Sequence, residues 1–319
     1  MIMHYIGIDL GGTKISGAIF SIEGKILLQK DVLIGERTGH EVGAQIVELI
    51  KGICSDGQIK ASDKKSIGIC VPGIAYSTTG NVWCPNIPNW ENYPLRQEIS
   101  NEIPNSVVTI ESDRTCYILG ETTMGVARGC RNAVFIAVGT GIGAGILIDD
   151  RVLHGNSDIV GAIGWLALKP HYDKFWDKCG CFETHCSGDG LATQTQLFLK
   201  ADKEYKGMLR EKPVEQVTSY DLFAALEKGD PLAKRVMDQA IEMWGMAAAN
   251  LVSIFNPEMV IFGGGIFGPA AKFIPQIYDE AKKWAQPISI NQAKFTATSL
   301  PKLAGLFGAG AVAIKYGNE

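Results

Sequence analysis

Asp9-Leu10-Gly11-Gly12-Thr13-Lys14 stands between two short apolar segments, Tyr5-Ile6-Gly7-Ile8 and Ile15-Ser16-Gly17-Ala18-Ile19-Phe20. Both flanks are β-prone, so the stretch reads as the tight turn of a strand–turn–strand unit. Gly11 and Gly12 let the chain turn sharply and bring backbone N–H groups close to a ligand, with no Cβ in the way. Successive amides in such a turn form an anion-binding concavity, to which Thr13 adds a hydroxyl and Lys14 a cation. Asp9, at the end of the first strand, is placed to hold Mg²⁺ through its water shell. The motif therefore points to the phosphates of a nucleotide with its metal. An ordinary hairpin would use the same glycines for turn geometry alone.

A second copy further along separates the two readings. Residues 133–138 form a fresh apolar strand that leads into Gly139-Thr140-Gly141-Ile142-Gly143-Ala144-Gly145. Ile146-Leu147-Ile148 follows, then a turn at Asp149-Asp150 and a further strand from Arg151. The opening does the same, with strands over residues 5–33 and a turn at Glu23-Gly24. A repeat of this kind predicts two related halves with a nucleotide between them, one glycine turn from each. A third turn, Gly263-Gly264-Gly265 after Val260-Ile261-Phe262, is assigned to the adenosine moiety. Gly139-x-Gly141-x-x-Ala144 is not a dinucleotide fingerprint, because a strand follows where that motif needs a helix.

Between these turns the chain alternates strands and helices. Apolar positions at Val42, Ile46, Val47, Leu49 and Ile50 predict a helix over 41–54. Residues 66–71 read as a buried parallel strand, ended by Pro72-Gly73. A long Asn- and Pro-rich loop over 80–90 has the length of a functional loop. A short helix over 94–100, a strand over 107–110 and a helix over 114–124 follow, with Glu111-Ser112-Asp113 at the strand's end. Beyond Lys169 the sequence predicts a loop rich in aromatics and cysteine to about residue 190. Helices are then expected over 191–199, 219–226, 231–255, 270–284 and 304–316.

Bulk composition narrows the function class. At 319 residues, two domains with sizeable cores are expected. A net charge of −4 with no basic run argues against nucleic-acid or membrane-surface binding. No apolar stretch reaches membrane-spanning length. The opening Met1-Ile2-Met3-His4-Tyr5 lacks a charged n-region and a cleavage site. Eight cysteines without such a signal read as reduced thiols, so the expectation is a cytoplasmic protein.

Taken in order, these motifs resemble the ROK family of sugar kinases, within the actin-like ATPase (ribonuclease H-like) fold. The residues that carry the likeness are Asp9 to Lys14, Val71-Pro72-Gly73, Pro85-Asn86-Ile87-Pro88-Asn89-Trp90 and Glu111-Ser112-Asp113 with Leu119-Gly120-Glu121, together with the second and third glycine turns. The resemblance implies an α/β protein of two lobes, each a mixed sheet flanked by helices. A small lobe would comprise 1–120 plus a closing helix at 304–319, and a large lobe 121–303. It implies ATP- and Mg²⁺-dependent phosphoryl transfer to a hexose hydroxyl, usually at C6, and a homodimer. Asp113 matches the family's catalytic base, a carboxylate able to accept the proton of the attacking hydroxyl. The alternative use of Asp113 is as the N-cap of the following helix. ATP would lie on Gly11, Gly12, Thr13, Lys14, Gly139, Thr140, Gly141, Gly143 and Gly263 to Gly265. Gly73, Asn86, Ser112, Asp113, Glu183 and Trp165 are the expected sugar contacts.

The chain departs from the family pattern at three places. Ser112 stands where an Asn usually precedes the base. In Gly161-Ala162-Ile163-Gly164-Trp165, Ala162 replaces a sugar-binding Glu, and Trp165 replaces a His that ligates zinc. Trp165 could offer a flat face to a sugar ring or an N-acetyl methyl, or fill the space of a missing metal site. The zinc motif is reduced to Cys179-Gly180-Cys181, with Cys186 and either His171 or His185 as the remaining donors. Structural zinc is therefore not expected. The altered pocket leaves open a hexose kinase, an N-acetylhexosamine kinase, or a sugar-sensing protein without catalysis. Repressors of the family carry an N-terminal helix-turn-helix, for which this sequence leaves no room.

Overall fold

The computed structural model describes residues 3–317, so Met1, Ile2 and the last two residues of the expected closing helix lie outside it. Two five-stranded sheets share one plan. In the first, β1 (Met3–Leu10), β2 (Lys14–Phe20) and β3 (Ile26–Leu33) form an antiparallel meander. After α1 (His40–Asp56), β4 (Lys64–Val71) pairs parallel to β1. A small hairpin, β5 (Ile74–Ala75) with β6 (Val82–Trp83), and α2 (Leu95–Glu102) precede β7 (Ser106–Ser112), which extends the sheet in the order β3-β2-β1-β4-β7.

Helix α3 (Asp113–Thr123) crosses to the second sheet. There β8 (Ala133–Val138), β9 (Ile142–Ile148) and β10 (Arg151–Val152) repeat the meander. A helical block follows: α4 (Cys181–Cys186), α5 (Gly188–Ala201), α6 (Ser219–Glu227) and the long α7 (Pro231–Phe255). Strand β11 (Met259–Gly263) joins β8 in parallel. Helices α8 (Ile274–Ala281) and α9 (Pro287–Gln292) lead to β12 (Lys294–Ala297), giving the order β10-β9-β8-β11-β12. Helix α10 (Ala304–Gly317) closes the chain. The internal repeat expected from the glycine turns is thus a repeat of sheet topology.

Five short elements were not anticipated: β5, β6, α4, α9 and β12. Helix α4 lies inside the stretch expected to be loop, where a six-residue helix is too short to show a period. The helix expected over 270–284 begins as a tight 3₁₀ turn, because Pro269 and Pro275 each withhold an amide. The lobe boundary expected near residue 120 falls inside α3. We propose instead that the division lies in the turn between α3 and β8.

What positions the site is the layer between the sheets. Helices α3 and α10 lie there against each other, α10 on β1 and β4, α3 on β8 and β9. Glycine makes that approach possible. A Cβ on Gly68 of β4 would stand 2.1 Å from the Ala309 carbonyl of α10. One on Gly308 would stand 1.9 Å from the Cys116 carbonyl of α3, and one on Gly145 of β9 2.0 Å from the Arg114 carbonyl. Sheet, helix, helix and sheet therefore meet backbone to backbone.

Gly308→Ala should consequently force α3 and α10 apart, at a cost of about 1–3 kcal/mol. Thermal melts should show Tm lower by about 2–4 °C for each kcal/mol. Gly52 of α1 is the control: the nearest atom to its added Cβ is the Lys30 Nζ at 3.5 Å. Gly52→Ala should leave Tm equal or raised by helix propensity. Equal melts for both variants would refute the close-packing account.

Candidate active site

Both lobes end at one cleft of about 630 Å³. Its floor is the junction of β7 and α3. Ser112 caps α3, its Oγ accepting the Thr115 N–H at 3.4 Å and donating to Thr115 Oγ1 at 3.2 Å. That settles the capping question: Ser112 is the N-cap, and Asp113 is the first helical residue. It also corrects the expectation for Ser112, whose buried hydroxyl is used up inside the protein rather than lining the cleft.

Asp113 does line the cleft, and the Arg114 N–H donates to its Oδ1 at 2.8 Å. Burial pushes its carboxyl up to about 6, with nearby Asp9 adding repulsion, while Arg114 pulls the other way. Asp9 is likewise raised, chiefly by burial, against a hydrogen bond from the Cys70 thiol. Its carboxylate lies against Gly305 in the first turn of α10, where an added Cβ would stand 2.6 Å from Oδ1. The positive end of that helix favours the ionised form.

The second and third glycine turns line the cleft's inner end side by side, at the ends of the paired strands β8 and β11, while the first turn is not among the cleft's lining residues. Gly139, Thr140, Gly141 and Gly143 line it from β8–β9, and Gly264 and Gly265 from the end of β11. Asp9, Gly264 and Gly265 also line an adjoining recess of about 220 Å³, with Thr298 and Lys302. Gly264 has φ +87° and sits on the Val138 carbonyl, so only glycine fits. Open space stands over Gly12, Gly139 and Gly265. The open turns and the Asp9 carboxylate fit a nucleotide and its magnesium ion.

Three phosphate-turn expectations need adjustment. Gly263 is an interior residue of β11 whose added Cβ would stand 2.3 Å from the Phe135 ring, so it serves packing. Lys14 holds its ammonium on Asp31 Oδ2 at 3.0 Å. The first turn is closed by the Gly11 N–H on the Lys14 carbonyl at 2.9 Å, with Gly12 and Thr13 exposed.

On the outer side, Gly73, Asn86, Glu183 and Trp165 all reach the cleft wall. Gly73 is required by the hairpin, since an added Cβ would stand 2.0 Å from the Trp83 carbonyl. Glu183, in α4, accepts the Ile142 N–H through Oε2 at 2.6 Å and so ties α4 to the second glycine turn. Burial raises its carboxyl, and the Ile142 amide opposes that. Trp165 does not fill an interior space: it is 57% exposed, and it lines both the cleft and a neighbouring groove with Tyr172 and Trp176. Among the described residues no three His, Cys, Asp or Glu side chains are grouped to hold a metal. His185 instead bonds the Cys181 carbonyl at 2.7 Å and packs on Trp176.

Arg114 of the cleft and Lys302 of the recess are cations that sequence reasoning missed, as it did the cleft aromatics Trp83 and Tyr117. Arg114 had a signal, being a cation in the first turn of a helix, where the macrodipole disfavours one. Lys302 had none, because it comes to the recess only through the fold.

The ionised Asp113 is less favourable in the folded protein than in the unfolded chain. Its folded value of about 6 exceeds the ordinary 3.8, so the penalty is absent below about pH 4 and complete above 6. Asp113→Asn should therefore hold or raise Tm at pH 8, with no gain at pH 4. A Tm loss at pH 8 would mean the carboxylate is a structural anchor.

The chain is similar to known proteins over nearly its whole length. The family model of the ROK family matches residues 5–316. A glucokinase of Thermotoga maritima is 31% identical over 318 residues, covering 97% of each chain. A Streptomyces griseus ROK family glucokinase, solved in complex with glucose and AMPPNP, superposes with TM-score 0.76 and 26% identity over 98% of this chain and 99% of that one. A ROK family transcriptional regulator, described as a homolog of the E. coli MLC protein, superposes with TM-score 0.83 and 26% identity, over 98% of this chain and 78% of that one.

Proposed function

The chain belongs to the ROK family and has its actin-like ATPase fold, and on that premise we propose that it is an ATP-dependent sugar kinase with Asp113 as general base. The observation that carries this reading is the placement of Asp113. A carboxylate raised to about 6 stands on the cleft floor, with glycine turns of the second lobe and Gly73 and Asn86 of the first lining the same cleft. A base should have a pKa near the working pH, and burial brings Asp113 there.

ATP, as substrate, would lay its phosphates on the amides of Thr140 and Gly141, with Gly264, Gly265 and Lys302 on the nucleoside side. Magnesium, held through Asp9, would neutralise phosphate charge. Asn86 and Glu183 would orient the acceptor so that one hydroxyl faces Asp113. The base would take that hydroxyl's proton as the oxygen attacks. Alignment and charge neutralisation supply most of the catalysis in such transfers, and the base a smaller share. Closure of the two lobes would exclude water, the competing acceptor. An N-acetylhexosamine acceptor is accommodated by the same scheme, with Trp165 against the acetyl group.

A second reading, a sugar sensor without catalysis, draws on Ala162, which leaves the cleft without a carboxylate at that point, and on the regulator's likeness. ATP consumption separates the two. With Mg²⁺ and a panel of sugars, turnover should depend on sugar and fall about 10²–10⁴-fold in Asp113→Asn. Turnover should also fall about tenfold per pH unit below 6, as the base is protonated. Saturable sugar binding with no turnover at any pH would favour the sensor.

A further inference from the structure

The six tryptophans of the chain fall into two sets. Trp90, Trp244 and Trp284 each donate the indole N–H inside the protein, to the Gly39 carbonyl at 2.9 Å, the Cys186 carbonyl at 3.3 Å and Glu280 Oε1 at 2.9 Å. Trp83, Trp165 and Trp176 donate theirs to no group among the described residues. These three are the tryptophans of two cavities. Trp83 and Trp165 line the cleft, and Trp165 and Trp176 line the groove of about 320 Å³ beside it. An indole pairs an apolar face with a donor that needs a partner once it is covered. The three unused donors therefore mark a surface that a polar ligand completes.

Cleft and groove adjoin at two points. Trp165 lines both. Helix α4 also reaches both, with Cys181 on the groove and Glu183, two residues on, in the cleft. Their separation along α4 is thus less than one helical turn, about 5.4 Å. The groove's rings are held in place. The Asp173 carboxylate accepts the Phe175 N–H at 2.9 Å, and the Gly180 N–H closes on the Trp176 carbonyl at 2.8 Å. Trp176 packs against the core, edge-on to His185 at 5.8 Å and to Tyr172 at 6.3 Å. Rings fixed before binding lose little freedom when a ligand settles on them.

The lining chemistry selects the occupant. Lys169 and Asp177 set an ammonium and a carboxylate in the same groove, which suits hydroxyls that both donate and accept rather than a ligand of one charge. Free indole donors have no use against a purely apolar group. A sugar ring meets both conditions, with C–H bonds on its face and hydroxyls at its rim. Resting on the kinase reading of this cleft, we propose that the groove is a second sugar subsite and that the acceptor is a neutral disaccharide. One ring lies in the cleft with a hydroxyl toward Asp113, and the other lies across Trp165 and Trp176. The glycosidic bond stays intact. The acceptor oxygen bonds the γ-phosphorus as the bond from that phosphorus to ADP breaks, and Asp113 takes the hydroxyl proton. The groove's volume falls within the range of small-molecule sites, about 300–1,000 Å³.

The test uses the full chain with D-glucose, D-mannose, maltose, cellobiose and β-1,4-mannobiose. Calorimetry gives binding, and ATP consumption with Mg²⁺ gives turnover. At least one disaccharide should bind about tenfold or more tighter than the monosaccharide it contains. Trp176 and Tyr172 line the groove and not the cleft, so their variants separate the two rings. Trp176→Ala should raise KM for that disaccharide about tenfold, through lost ring contact, with a smaller change for the monosaccharide. Trp176→Phe, which keeps an apolar face and removes the donor, should fall between. Tyr172→Ala, at an exposed position, serves as the second variant if a melt shows Trp176→Ala misfolded.

Disaccharides that bind and react no better than their monosaccharides would overturn the proposal and leave the kinase standing. So would groove variants that change the sedimentation of the protein and not its KM for a disaccharide, which would assign the groove to a second copy of this chain. Disaccharides that bind through Trp176 but never turn over would uphold the subsite and remove the kinase reading instead.

Discussion

Backbone contact between helices α3 and α10 is the constraint on which this molecule depends. Each helix belongs to one side of the cleft by its packing, and each touches the other through glycine or a backbone carbonyl. Dispersion forces fall off within an ångström of separation, so such an interface tolerates little sliding. It also holds buried side chains of both sheets, among them Cys70, Phe135 and Ile261, in one continuous cluster with Ile118 of α3. The first turns of both helices are thereby fixed relative to the strand ends.

Chemistry collects at those first turns. Asp9 leaves β1 against Gly305 in the first turn of α10, and Asp113 is the first residue of α3. Two carboxylates that would repel each other in a flexible chain are kept close, each with a helix N-terminus near it. Burial raises both, yet they differ in supply: Asp9 takes a thiol hydrogen bond, whereas Asp113 takes a backbone amide and the field of Arg114. A metal-holding anion and a proton acceptor are distinct requirements, and the fold gives each carboxylate its own surroundings.

Strand-and-turn features were legible because they are local. Tyr5 to Phe20 and Ala133 to Ile148 each carry a β run, a glycine turn and a second β run, and both fold as read. Asp113 was legible for the same reason, as an acid where a strand ends and a helix begins. What escaped was set by tertiary contact. Gly263 looks like its neighbours Gly264 and Gly265 in sequence, but it is buried under Phe135 while they face the cleft. Ser112 and Asp113 are adjacent, and either could cap α3; the capping geometry chose Ser112. Lys14 carries the charge expected of a phosphate ligand, yet Asp31 on the neighbouring strand claims it.

The region around α4 holds a pocket wall through packing and hydrogen bonds. Cys181 and Cys186 are buried among apolar side chains, and burial drives the Cys186 thiol well above its ordinary range, so it behaves as a small hydrophobe. The Thr184 hydroxyl bonds the Gly180 carbonyl at 2.6 Å and contacts Cys179 Sγ at 3.3 Å, while His185 closes on the Cys181 carbonyl and Trp176. Gly180, at φ +87°, packs so near the Trp165 backbone that an added Cβ would stand 2.5 Å from its Cα. These contacts fix α4, and α4 fixes Glu183 on the Ile142 amide. The aromatic side chains are consequently free to face outward, Trp165 at 57% and Tyr172 at 72% exposure. A wall held by backbone contacts and thiol packing leaves its outer face to aromatic surface.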